Sequence, residues 1–440
     1  MKQFRAALVV LTVAAVSGGA VSVPAAAIAG GSHIGSIELV SVGSNGGGAD
    51  DASGVSGHGR YVVFSSAAGD LVSGDTNDQR DVFVRDVVSG RTSLVSVGVG
   101  GVQGNGESRQ GSISADGRYV AFTSYASNLL PGDTNDSPDV FLRDLRTGRT
   151  TLVSVGPSGP ADLGAYQPEI SADGLHVAFT SAATNLVAGD TNDAADIFVR
   201  DLRSRRTERV SVTSEGQQSD YYASDPTISA DGRVVAFVGP GVIEPGPPPP
   251  ISTVSAIYVH DRTTKTTRAI SPGVTVDPRS FFADTGVPAL SADGRFVVFV
   301  VMGSVGPDAI SNVWLRDLRT NRLELISADQ QGRPTSTFGG ATGQVSADGR
   351  YVTFGTTGRM TRADRGDLSD VFRLDRKTGA LVWITHQQDQ AGTFGRIGSY
   401  LPMISDDGQH VAFTSDDTQL VPGGGTTGYD TYLWSSNRRS

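Results

Sequence analysis

A nine-residue phrase recurs along the chain, with polar turn residues leading into an unbroken apolar run. Its clearest copy is Ser114-Ala115-Asp116-Gly117-Arg118-Tyr119-Val120-Ala121-Phe122. Further copies begin at Ser56, Ser171, Ser229, Ser291, Ser346 and Ser405, and the turn glycine falls at Gly59, Gly117, Gly174, Gly232, Gly294, Gly349 and Gly408. Successive glycines are 58, 57, 58, 62, 55 and 59 residues apart, a period that marks a repeat architecture. Asp-Gly between apolar runs signals a hairpin, because glycine takes the positive φ of the turn. Along the run, Tyr119 and Ala121 fall on one face and Val120 and Phe122 on the other. Both faces are apolar, so the strand must be covered on both sides.

A second phrase follows each first one: DVFVRD at 81–86, DVFLRD at 139–144 and DIFVRD at 196–201, with weaker copies at 256–261, 312–317, 370–375 and 430–435. A turn and a third run come next, as in TTLVSVG at 150–156. A short apolar stretch such as Ile113 or 168–170 opens each unit, and no long helical periodicity is present. Each unit therefore reads as a four-stranded antiparallel sheet stacked face to face on its neighbours. The last copy ends at YLWSSNRRS without its fourth strand, while SIELVSVG at 36–43 matches the fourth-strand phrase TSLVSVG at 92–98. A strand moved to the opposite end makes sense if the first and last units meet, and closure protects sheet edges. The expected fold is all-β: a seven-bladed β-propeller of four-stranded antiparallel blades, closed by 36–43 completing the last blade. Six or eight blades are the alternatives. Repeats are expected to start near 53, 111, 168, 226, 288, 343 and 402.

The S-x-D-G-x-x-V-x-F phrase, followed by an apolar strand ending in Asp, resembles the TolB-type propeller repeat, a relative of WD-repeat blades. The resemblance covers roughly residues 36–435. It departs where that repeat usually has Trp-Ser-Pro-Asp-Gly: the proline slot holds Ala115, Ala172 and Ala230, and the tryptophan slot holds Ile113, Ile170 and Ile228. His58 replaces the turn aspartate of the first copy. The resemblance implies the propeller fold and does not carry over TolB's partners.

Composition narrows the function. With no cysteine among 440 residues, disulfides, thiol nucleophiles and zinc–thiolate sites are excluded. Lys2 and Arg5, the apolar run Ala6–Val16 and small residues with A-x-A sites at 25–27 and 27–29 read as a signal peptide over 1–29. The domain is then 30–440, with secretion to the periplasm, exterior or cell surface expected, and no lipid anchor or membrane insertion. A net charge of −10 argues against nucleic acid as a partner. A monomer is expected.

Strand order places the short turns on one side of the ring and the long connections on the other, so function is expected on the long-loop face. There the loop between the second and third strands reads GDTNDQRD, GDTNDSPD and GDTNDAAD at 74–81, 132–139 and 189–196. Clustered carboxylate and amide oxygens suit a hard cation. The candidate calcium ligands are Asp75, Asn77, Asp78 and Asp81, then Asp133, Asn135, Asp136 and Asp139, then Asp190, Asn192, Asp193 and Asp196. Turn capping by Asp and Asn explains the same residues without a metal. Candidate ligand-contacting aromatics on this face are Tyr166, Tyr221, Tyr222, Phe281, Phe282, Phe338, Phe394 and Tyr400. No catalytic motif appears among the residues. The sequence thus points to a non-catalytic binding or scaffold protein for a protein or cell-envelope glycan. A propeller lyase or glycosidase acting on polysaccharide is the alternative.

Overall fold

The computed structural model describes residues 21–22, 27–28, 35–43, 51–133, 135–219, 222–240, 255–271, 283–285, 287–305, 308–329, 332, 334–335, 342–361, 368–386, 398–422 and 428–436. Blade two shows the unit. Its inner strand is Ser108–Ile113, followed by Tyr119–Ser124, Asp139–Asp144 and the outer strand Arg149–Leu152, antiparallel in sequence order. Blade seven takes Ser399–Ile404, His410–Ser415 and Asp430–Ser435 from the end of the chain and Ser36–Leu39 from its beginning. Ser36 lies opposite Ser435 and Leu39 opposite Tyr432. Inner strands touch one another in order from blade one to blade seven, and the inner strand of blade seven touches that of blade one. The chain is a closed seven-bladed β-propeller, as the repeat spacing requires. Val21–Ser22 and Ala27–Ile28, within the expected leader, pair in parallel with the outer strands of blades five and six.

The inner strands differ from expectation. They are longer than the apolar stretch visible in the sequence, and their first halves are polar. In blade two the register shifts between Arg109 and Ser112, with Gln110 at φ 57°. Gln167, Asp225 and Leu401 take the same left-handed conformation in blades three, four and seven. A bulge of this kind breaks the period-two pattern, which is why the polar half could not be read as strand.

Packing between blades uses both faces of the second and third strands. Phe122 and Phe141 are fully buried and stacked at 5.7 Å, and they pack with Val63, Val82 and Val95 of blade one. The turn glycine has two roles. Gly117 sits at φ +71°, and a Cβ there would lie 2.2 Å from the Tyr61 ring of the preceding blade. Gly59 is packed in the same way by His410, so the contact crosses the closing seam.

A belt of backbone hydrogen bonds joins the short turns. Gly57 N–H donates to the carbonyl of Ala115, Ala115 to Ala172, Asp173 to Ala230, Ala230 to Ala292, Ala292 to Ala347, Ala347 to Asp406 and Asp407 to Gly57. Every blade is tied to the next, including seven to one. Four of these donors are the alanines in the slot where the related repeat has proline. Proline has no N–H to give, so the departure from the repeat has a structural use.

The aspartate that ends each third strand is also structural. Arg118 grips Asp144 through Nε at 3.1 Å and Nη2 at 2.7 Å, and its guanidinium stacks on Tyr119. Asp144 further accepts the N–H groups of Arg146 and Thr147. Arg60–Asp86, Arg295–Asp317 and Arg350–Asp375 repeat the pair. The Arg118 hydrogen bond holds the Asp144 carboxyl down at about 2. Since this is below the ordinary value of 3.8, its contribution to stability is present above about pH 4 and is lost as pH falls toward 2. Thermal melts are expected to drop across that window, and Arg118→Met should make the drop shallower.

Candidate functional site

Each strand pair runs from a long connection to a short turn and back. The start of every inner strand therefore meets the long-loop face beside the ring axis. Blade two places Arg109 there, with its Nη2 donating to the Tyr125 hydroxyl at 2.7 Å and its guanidinium 5.0 Å from the Tyr125 ring centre. Tyr166 of blade three is half-buried and feels both neighbours: burial and Tyr125 push its hydroxyl pKa up, and Arg109 pulls it down. In blade seven, next to blade one, Tyr400 meets Tyr429 edge-on at 5.6 Å. Tyr222 is 71 % exposed, free to contact a ligand rather than plug the ring. Tyr221, Phe281, Phe282, Phe338 and Phe394 lie outside the described residues.

The bulge residues form a chain across three blades. The Gln110 carboxamide oxygen accepts the Thr123 hydroxyl and the Gln167 N–H. The Gln167 oxygen accepts the Thr180 hydroxyl and the Asp225 N–H, and its Nε2 donates to Asp225 Oδ1 at 2.5 Å. Left-handed conformation at non-glycine residues is costly and tends to be retained where the position is used. Nearby in the inner strand of blade three, Glu169 accepts the Ser112 hydroxyl of blade two, and burial pushes its carboxyl up to about 7. Sequence reading missed Arg109, Tyr125, the two glutamines and Glu169. The available signal was a polar residue, Gln110, Gln167 or Asp225, at one offset ahead of the repeats of blades two, three and four.

The acidic loops are built as turns. In blade one Asp81 is fully buried and accepts the Ser96 hydroxyl at 2.5 Å and the Asn77 amide at 2.8 Å. Asn77 also donates to the Gly104 carbonyl and accepts the Gln79 N–H. Asp139 with Asn135 and Ser154, and Asp196 with Asn192 and Ser211, repeat the arrangement. Asp78, Asp136 and Asp193 are the left-handed turn residues, at φ 50–52°. Asp75 and Asp133 accept the N–H groups of Asn77 and Asn135. In blade three the loop differs, because Arg209 Nη1 sits 2.9 Å from Asp190 Oδ1 and 3.2 Å from Asp196 Oδ2. Among the described residues no three His, Asp or Glu side chains converge to hold a metal ion.

The remaining shifted groups are dispersed. Burial lowers His260 to about 4, and its Nδ1 is engaged with Thr267 at 2.8 Å. His410 bonds Ser435, and His58 lies 3.5 Å from Asp407 across the closing seam.

No family model matches the chain, and no curated protein matches it. Solved structures do. An oligogalacturonate lyase solved in complex with manganese shares 13 % identity over 92 % of this chain and 97 % of its own, with a TM-score of 0.54. The fold is that of a β-propeller. A prolyl endopeptidase shares 13 % identity over 90 % of this chain and 50 % of its own, at 0.50. TolB from Acinetobacter baumannii shares 17 % over 62 % of this chain and 53 % of its own, at 0.38. This propeller thus spans about half the length of the latter two proteins. The first two likenesses speak for the shared architecture, which hosts unrelated functions.

Proposed function

We propose that the protein is an exported, non-catalytic binding propeller that takes a cell-envelope ligand on its long-loop face. The reading of 1–29 as a leader supports export, and no described helix is long and apolar enough to cross a membrane. One observation carries the binding reading: the axial mouth over blades two to four. There Arg109, Gln110, Tyr166 and Gln167 sit together on the inner strands, with Tyr125 just beyond the second strand of blade two. Planar amides offer donor and acceptor side by side, and phenol rings offer flat apolar faces, which suits a glycan better than an apolar peptide. The shifted acids and imidazoles, by contrast, are mostly held in separate blades by hydrogen bonds of their own. Glu169 lies further along the inner strand of blade three, opposite Ala178 toward the short turn, with the Ser112 hydroxyl as its partner.

A glycan array probed with the mature chain tests this. Binding of envelope glycans is expected, with the glycans recovered unchanged and binding lost in the Arg109→Ala/Tyr125→Ala double variant. Shortened or unsaturated oligosaccharides would instead favour the polysaccharide enzyme. Binding that survives the double variant would move the site elsewhere, and selective capture of an envelope protein through the same residues would replace the glycan.

A further inference from the structure

The three acidic loops of blades one, two and three are copies of one design, and one of them contains its own cation. In blade three the guanidinium of Arg209 lies between Asp190 and Asp196, and Nη2 reaches the Gly189 carbonyl at 3.3 Å. Arg209 projects from the outer strand opposite Phe198. The residues in the same register are Leu94 opposite Phe83 and Leu152 opposite Phe141. Blades one and two therefore keep the two aspartates and the glycine but carry, at the register position of Arg209, leucines that pack on the hydrophobic clusters. The loops are otherwise alike, down to the serine and asparagine that hold the buried aspartate. Blade three is thus an internal comparison in which the same residues ligate a cationic group.

We propose that blades one and two each bind one calcium ion, between Asp75 and Asp81 and between Asp133 and Asp139, in the place where blade three holds the Arg209 guanidinium. The donor set is all oxygen: two carboxylates and the carbonyl of Gly74 or Gly132. That is the set a hard divalent ion selects, with water completing six to eight ligands. The Gly74 carbonyl also accepts the Gln103 amide at 2.5 Å, so blade two is the less encumbered site. This site lies apart from the axial mouth and does not depend on the reading given for it.

Calorimetric titration of the full chain, stripped with chelator, with calcium chloride tests the proposal. Two ions per chain are expected, falling to one in Leu152→Arg and one in Leu94→Arg, each of which supplies the blade-three guanidinium. Leu152→Met should retain two. If an arginine variant fails to fold, Asp133→Asn on the partly exposed carboxylate should also lose one ion. No binding at millimolar calcium, or two ions retained in a folded Leu152→Arg or Asp133→Asn protein, would overturn it.

Discussion

Deleting residues 37–43 should leave a chain that no longer melts cooperatively. The segment supplies the outer strand of blade seven, and it does more than pair. Ile37 and Leu39 pack on the cluster of Val411, Phe413, Tyr432 and Trp434. Val40 is fully buried and packs with Phe64 and Phe83 of blade one. Ser41 donates to Asp430 and accepts the Thr431 N–H, both at 3.1 Å. One fully buried aliphatic side chain, at roughly 1.5–3 kcal/mol, two partly buried ones and the buried Ser41 hydrogen bonds take a large share of the net stability of an ordinary domain, about 5–15 kcal/mol. The loss also falls within blade seven, where hydrogen bonds rather than a connecting loop join the third strand to the fourth. Circular dichroism and calorimetry would read it, and a synthetic peptide of residues 36–43 added in trans should restore a transition. A truncated chain melting at the wild-type temperature would show that the ring is not closed by this strand.

The second large effect is expected from Phe141→Ala. The ring is fully buried and touches residues of two blades, so no side chain can swing in from solvent to fill the space. Large-to-small changes at such sites cost about 3–5 kcal/mol. Urea unfolding should show a lowered midpoint with little change of slope. Val88→Ala, at a side chain 76 % exposed, is the matched control and should move stability by at most about 0.5 kcal/mol.

Much of this architecture was legible in the sequence for a physical reason. Strands buried on both faces cannot tolerate polar residues, so Val-x-Phe and its companions repeat wherever the core repeats. Asp-Gly repeats because the turn needs a positive φ. The contact of Gly117 with Tyr61 could not be read, since it depends on how one blade stacks on the next. Nor could the belt of turn N–H groups, which looked only like alanine in place of proline. The axial mouth was hidden for another reason. Gln110 and Gln167 sit at bulges, where the alternation that announces a strand is interrupted. Tyr166, Tyr222 and Tyr400 were legible as candidates on the long-loop face, but Tyr125 was not, because it follows directly on a core strand. The acidic loops were conspicuous, yet their meaning turned on Arg209, a residue thirteen positions after Asp196 in a different strand.

The closed belt has a consequence for the order of the chain. No hydrogen bond in it distinguishes the blade where the polypeptide starts from any other, and Ser36 lies directly opposite Ser435. The termini are therefore a cut made in a cyclic object rather than a feature of its design. Joining them through a short linker and opening the chain at another long loop gives a circular permutant with every blade, belt bond and closing contact intact. Where the seam falls is then a choice, and the ring can present any blade as its first.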